Sequence, residues 1–232
     1  MRFILSSVMM ALAAPSLVLA QQCAIPDRLP EPQVELPPVP EINSSPTTQY
    51  LLALSWSPQF CRDRGSDPKH ASQCGGTPFG FILHGLWPDG PGRSDPAWCN
   101  PSRKLSNTLV RQHFCMTPSP QLLQHEWSKH GTCMADSPEK YLQAASLLFG
   151  AIKYPDMNRL AQSPISVGAF KSFFVAANPG LKPDMLSVQT GNGGWLREVR
   201  ICLATDLRPK TCAKEDRGAR PNLRLRIQSP GA

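Results

Sequence analysis

Two short segments concentrate the proton-handling side chains of this chain. Phe81-Ile82-Leu83-His84-Gly85-Leu86-Trp87-Pro88 carries one histidine. His125-Glu126-Trp127-Ser128-Lys129-His130-Gly131-Thr132-Cys133 carries two more, beside a carboxylate and an ammonium, in a chain of 232 residues with five histidines. Two imidazoles can act as acid and base near neutral pH, while a lysine offsets anionic charge developing between them. That set suits a negatively charged reacting group such as a phosphodiester, with no metal required.

Read as a helix, the second segment puts Glu126, Lys129 and His130 at i, i+3 and i+4, on one face. His125 shares a face with Lys129 in the same way. Surface salt bridging would explain Glu126 and Lys129 but not the two histidines. His125-Glu126 also begins like the zinc-protease motif, which needs its second histidine four residues on. His130 stands five on, rotated by roughly 140° on an ideal helix, so that geometry fails. No Cys-x-x-Cys and no carboxylate cluster offers another metal site. Neither metal nor cofactor is expected.

His84 is expected at the end of a strand over Phe79 to Leu83, followed by Gly85 and Trp87. An indole beside a catalytic imidazole could stack a nucleic-acid base or simply fill the core, and residue type alone does not separate the two. Trp56, Trp98, Trp127 and Trp195 read as packing residues, with Trp127 on the core side of its helix.

The N-terminus reads as a signal peptide over residues 1–20: Arg2, a mainly apolar run from Phe3 to Leu12, and Val18-Leu19-Ala20 before the cleavage point. Ser6, Ser7, Pro15 and Ser16 interrupt the run, which weakens a membrane-spanning reading. Gln22 before Cys23 disfavours a lipid anchor. All eight cysteines follow residue 20, and an even number in an exported chain favours disulfides. The protein is expected to be soluble, in a periplasm or outside the cell, without membrane association. The formal charge of +7, or +6 once Arg2 leaves with the signal, would attract a polyanion, although many basic secreted proteins bind no nucleic acid.

Residues 21–46 hold seven prolines and form an extended, partly polyproline-like arm, either a spacer or a strap laid across the surface. The folded domain is expected over 47–232. Tyr50 to Trp56 reads as a buried strand ended by Pro58, residues 62–78 as a loop, and 90–101 as another loop. Helices are expected over Leu105 to Phe114, Leu122 to Lys129, from Ser137-Pro138-Glu139 onward, and over Ser166 to Ala177. Met185 to Thr190 and Trp195 to Leu203 flank Gly191-Asn192-Gly193-Gly194 as a hairpin, and Leu223 to Ile227 alternates like a half-exposed strand. This order implies an α+β fold with a mainly antiparallel sheet and packed helices.

His84-Gly85-Leu86-Trp87-Pro88 and Glu126-Trp127-Ser128-Lys129-His130-Gly131-Thr132-Cys133 resemble the two signature segments of the ribonuclease T2 family. The resemblance covers roughly residues 47 to 228 and leaves the arm outside. It implies a ribonuclease T2-like, disulfide-bonded α+β fold and a secreted endoribonuclease. Such an enzyme cuts single-stranded RNA through a 2′,3′-cyclic phosphate to 3′-phosphate ends. By that match His130 takes the 2′-hydroxyl proton and His84 protonates the leaving oxygen, labels that could be exchanged. Glu126 and Lys129 would stabilise the phosphorane, and His125 would contact phosphate. Trp87 would stack a base and Asp89 would accept a hydrogen bond from it. The loop after Asp89 lacks the aromatic that some members place there, and Leu122 and Leu123 stand where the family has another. The resemblance also suggests the bridges Cys61–Cys74, Cys99–Cys133 and Cys202–Cys212, leaving Cys23 and Cys115 to pair. The only partner implied is RNA, with a monomeric protein. The rival from another class is a secreted RNA-binding module that does not cleave.

Overall fold

Gln-Tyr-Leu-Leu-Ala-Leu-Ser-Trp supplies the central strand of the molecule. The structure, a computed structural model, describes residues 23–230 apart from Thr77 and Arg93. The signal peptide expected over 1–20 and the first two residues of the arm lie outside that range. In chain order come β1 (Gln49–Trp56), α1 (Ser57–Arg64), α2 (Ala71–Cys74), β2 (Phe81–Asp89), α3 (Asn107–His113) and α4 (Pro120–Lys129). They are followed by α5 (Pro138–Ala151), α6 (Met157–Leu160), β3 (Ile165–Ser166), α7 (Val167–Ala177), β4 (Leu186–Thr190), β5 (Leu196–Leu203) and β6 (Arg224–Leu225). The larger sheet has the order β2-β1-β5-β4 with every pairing antiparallel, and β3 and β6 form a two-stranded ladder. The α+β expectation holds.

Side chains alternate across a sheet, so β1 sorts its residues into two environments. Leu52, Leu54 and Trp56 join Val199, Ile201 and Leu203 in the main core, against Tyr141, Leu142 and Ala145 of α5 and Phe170 and Phe174 of α7. Leu51, Ala53 and Ser55 point the other way, opposite Cys202, Arg200 and Glu198 of β5. The helical layer covers the first face. The second face carries the polar groups.

Two of the boundaries that move do so for reasons of proline chemistry. Pro58 does end β1, but it also occupies the first turn of α1, where its missing N–H leaves nothing unpaired. The expected loop over 62–78 therefore holds the end of α1 and all of α2, bridged by Cys61–Cys74. Pro120 likewise opens α4, two residues ahead of the expected start at Leu122, with the Ser119 hydroxyl accepting the Leu122 N–H at 3.2 Å.

β2 is longer than expected, which places His84 in mid-strand rather than at its end. As an edge strand it tolerates Pro88, and its outward polar groups are covered by neighbours. The Leu83 N–H donates to the Met116 carbonyl (2.9 Å) and the Thr117 hydroxyl donates to the Leu83 carbonyl (2.7 Å). The buried Tyr141 hydroxyl accepts from the Leu86 N–H (3.3 Å) and donates to the Leu86 carbonyl (3.2 Å). The expected helix starts at Ser137 and Ser166 hold, with those serines capping α5 and α7, whereas α3 begins at Asn107 rather than Leu105, capped by Ser106. The C-terminal strand shortens to Arg224–Leu225.

Cys61–Cys74, Cys99–Cys133, Cys202–Cys212 and Cys23–Cys115 are joined, the last pinning the start of the arm beside α3. From there the arm runs along α4. Arg111 donates to the Pro26 carbonyl (2.8 Å), Gln33 and Gln121 exchange two hydrogen bonds (2.8 and 3.0 Å), and Asn43 bridges Ala97.

Tyr141→Phe should leave both Leu86 backbone groups without their partner inside the core. A loss of about 1–3 kcal/mol is expected in urea unfolding of the oxidised protein. A change within error of zero would show that the edge of β2 is covered in some other way.

Candidate active site

The histidine of the first segment reaches its position through an irregularity in the sheet. Ala53 pairs with Gly85 and Leu54 with Leu83, so His84 is the extra residue of a β-bulge. Bulges re-aim a side chain at the cost of one ladder pairing. Here Nδ1 of His84 meets Glu198 Oε2 at 2.6 Å, two strands away. Neighbouring strands lie about 4.8 Å apart, so this contact spans β1, and the residues facing it there are the small Ala53 and Ser55. Glu198 also accepts from Arg200 Nε (2.7 Å) and Ser55 Oγ (3.2 Å), and the Arg200 guanidinium lies 4.9 Å from the Trp87 ring centre.

The second segment arrives as the last turn of α4. Glu126 is 3% exposed; its Oε2 accepts the Trp87 indole N–H at 2.7 Å, and its Oε1 lies 3.7 Å from His84 Nε2. Only glycine fits at position 85, because a Cβ there would fall on Glu126 Oε2 and Trp87 Nε1. His130 follows as the C-cap, its ring 5.5 Å from that of Trp87 and its buried Nδ1 without a hydrogen-bond partner among the described residues. Gly131 is constrained in turn: a Cβ would press on the rings of Trp127 and Tyr141, at 2.5 and 2.9 Å. Trp127 is buried in the core, as its place on the helix implied.

His84, Trp87, His125, Glu126, Lys129 and His130 thus line one cleft of about 500 Å³. The arm forms part of its wall. Glu35 Oε2 meets His125 Nδ1 at 2.6 Å, and Glu41 Oε2 meets Lys129 Nζ at 3.2 Å. Trp98 sits edge-on to His125, and its backbone N–H donates to the Lys129 carbonyl at 2.7 Å beside the Cys99–Cys133 bridge. Asp89 is not brought to the cleft. It is 6% exposed and engaged by Gln49, whereas Asp95 lies on the cleft wall. A larger hollow of about 730 Å³ lies near the Cys99–Cys133 bridge, but its charged groups, Asp136 and Lys140, pair with each other at 2.6 Å. Among the described residues no three His, Cys, Asp or Glu side chains converge as metal ligands.

The two imidazoles titrate in opposite directions. Burial pushes His84 down, but the Glu198 hydrogen bond and the Glu126 and Glu198 charges outweigh it against Arg200, so its pKa is raised. Burial also dominates at His130, where the Lys129, His125 and His84 charges add to it and the pKa falls to about 3. Glu126 is raised by burial, with His84, His125 and Trp87 opposing. Burial pushes Glu198 up, yet His84 and Arg200 together bring it down to about 2.

Sequence reasoning missed Glu198, Arg200, Glu35 and Glu41. The first two had a signal: charged residues at alternate positions, 198 and 200, of a strand whose neighbours Leu196, Val199, Ile201 and Leu203 are apolar. The two arm carboxylates had none, because nothing local says where an extended proline-rich segment lies.

The sequence profile described as the Ribonuclease T2 family matches residues 47–212. The chain belongs to the ribonuclease T2 family. A probable ribonuclease of Haemophilus influenzae is 40% identical over 124 residues, which is 48% of this chain and 46% of that protein. A ribonuclease of Aeromonas hydrophila is 35% identical over 161 residues, covering 66% of this chain and 70% of that one. Among solved structures, trichomaglin, described as an S-like ribonuclease, superposes with a TM-score of 0.63 at 16% identity over 79% of this chain and 98% of its own. Ribonuclease NT in complex with 5′-AMP gives 0.62 at 18% identity over 80% and 100%. These two establish the T2-type fold.

The opposed titrations have opposite effects on stability. The folded pKa of His130 lies below its unfolded value, so the unfolded chain takes up the extra proton and stability falls as pH drops from about 6.5 towards 3, by up to about 1.4 kcal/mol per pH unit. The raised pKa of His84 contributes stability that is present below about 6.5 and lost as pH rises through its folded value. His130→Asn should therefore flatten the acid-side loss seen in urea unfolding between about pH 6 and 4. An unchanged slope would contradict the neutral, buried imidazole.

Proposed function

We propose that this protein is an exported endoribonuclease that cuts single-stranded RNA by metal-free transphosphorylation. The observation that carries the reading is the difference behind the two imidazoles of one cleft. A carboxylate accepts the hydrogen bond of Nδ1 of His84, whereas among the described residues the buried Nδ1 of His130 has no hydrogen-bond partner. The first arrangement favours a proton-carrying ring and the second a neutral one. His84 is the acid and His130 the base.

In the first step the 2′-oxygen attacks phosphorus while its proton passes to His130. The bond from phosphorus to the 5′-oxygen breaks, and that oxygen takes the proton of His84 Nε2. A 2′,3′-cyclic phosphate remains. Water then opens it to a 3′-phosphate with the two histidines exchanging roles. Lys129 and His125 meet the phosphate oxygens, where a cation counters the charge that builds up on the phosphorane. Glu126 holds Trp87 in place and faces the acid, and Trp87 offers a base its ring beside the reacting phosphate. Asp89, turned towards Gln49, takes no part in this assignment.

The apolar N-terminus and four disulfides support export. Among the described residues no helix is long and apolar enough to cross a membrane. The protein is taken to act as a monomer, with RNA as its only partner.

The mature oxidised protein should cleave single-stranded RNA in excess EDTA, leaving 2′,3′-cyclic phosphate ends, and His130→Ala should lose this activity by about 10²–10⁴-fold. Its kcat/KM should fall on the acid side near the His130 value of about 3 and on the alkaline side above the ordinary histidine range, where His84 loses its proton. Binding without cleavage would favour the secreted RNA-binding module instead. Glu35 and Glu41 occupy the two cations that phosphate would meet, so a Glu35→Gln/Glu41→Gln protein should show a KM for RNA several-fold lower at low salt. An unchanged KM would mean that the carboxylates do not compete with substrate.

A further inference from the structure

We propose that Glu198 is a positioning residue for the reaction: it accepts a hydrogen bond from Nδ1–H of His84, fixes the ring's tautomer and turns Nε2 into the cleft. The proposal rests on the assignment of His84 as the acid. Glu198 belongs to neither histidine segment and lies 114 residues beyond His84.

The carboxylate is fixed before any substrate arrives. It is 7% exposed; Oε1 is held by Arg200 and Oε2 receives both Ser55 Oγ and His84 Nδ1. With both oxygens anchored it cannot swing away, so the imidazole aligns to it. The groups facing His84 are Glu198 and Arg200 from β5, Glu126 from α4 and Trp87 from its own strand, with His130 across the cleft. Of the two carboxylates, only Glu198 is within hydrogen-bond distance; Glu126 stands 3.7 Å from Nε2, which leaves that nitrogen open to a leaving oxygen. The upward shift of the His84 pKa agrees with this geometry.

A neutral imidazole has two tautomers, and a donor must keep its reactive proton on the nitrogen that faces substrate. When Nε2 gives its proton to the departing 5′-oxygen, Nδ1 keeps its own, still bonded to Glu198. The ring is left neutral and in place for the return step. A buried carboxylate behind an imidazole is a general means of fixing both tautomer and orientation. The bulge at His84 and the small residues Ala53 and Ser55 are what allow it here, across an intervening strand.

The test compares two substrates with the mature oxidised enzyme. In a dinucleoside phosphate the 5′-alkoxide needs a proton to leave, whereas in a uridine 3′-(4-nitrophenyl phosphate) the nitrophenolate leaves without one. Glu198→Gln should lower kcat/KM on the dinucleoside phosphate by about 10- to 100-fold, short of the ~10²–10⁴-fold of a general acid, and stay within a few-fold of wild type on the nitrophenyl ester. Its alkaline limb on the dinucleoside phosphate should move to lower pH while the acid limb stays. His84→Ala should show the same split, only larger. Equal losses for Glu198→Gln on both esters, or none on either, overturn the proposal while the split of His84→Ala leaves the acid assignment standing. An equal loss for His84→Ala on both overturns the acid assignment, and the proposal with it. Should Glu198→Gln fail to fold, Glu198→Asp, which keeps the charge and withdraws it by one methylene, should give the split at smaller size; equal loss there overturns the proposal as well.

Discussion

The cleft depends on how closely the last turn of α4 can approach β2. Gly85 and Gly131 set that distance, one by leaving room for the Glu126–Trp87 hydrogen bond and the other by letting the chain pass between the rings of Trp127 and Tyr141. A buried carboxylate is costly unless its oxygens are satisfied, and the indole N–H meets that need at one of them. The same bond fixes the ring that lies between the two histidines. Their separation is therefore a packing outcome, decided in the core and delivered at the surface.

Around that contact the charges are arranged unevenly. His84 belongs to a chain of partners running through Glu198 to Arg200 and on to the face of Trp87. His130 has the Trp87 ring and like charges for neighbours. Two side chains of one type, both lining a single cleft, acquire different affinities for a proton because the fold surrounds them differently. The arm adds a second layer, since its inward carboxylates pair with His125 and Lys129 while Leu36 and Val39 stay exposed.

Much of this was legible in the residues. Helix starts at Ser137 and Ser166, the hairpin around Gly191 to Gly194 and the core role of Trp127 follow from local rules of capping, turn formation and periodicity. His84, Glu126, Lys129 and His130 were found through residue type and spacing. What escaped was non-local. The length of β2 depends on cover supplied by Met116, Thr117 and Tyr141, and the bulge at His84 exists only relative to Ala53 and Leu54. Glu198 becomes a partner of His84 only once β1 lies between them, and Asp89 turns inward only because Gln49 is there to receive it.

The disulfides carry a consequence for the history of the chain. Cys23–Cys115 and Cys99–Cys133 cross: Cys99 lies inside the span closed by the first bridge and Cys133 lies outside it. Cysteines oxidised strictly in the order in which they leave a membrane channel would join Cys23 to Cys61, taking the partner that Cys74 needs. The native set therefore cannot arise from order of arrival. It requires that the cleft-forming elements collapse first, or that early bridges be exchanged by thiolate attack until they match the fold. Maturation of this protein thus needs either folding ahead of oxidation or surroundings that exchange bridges as well as form them.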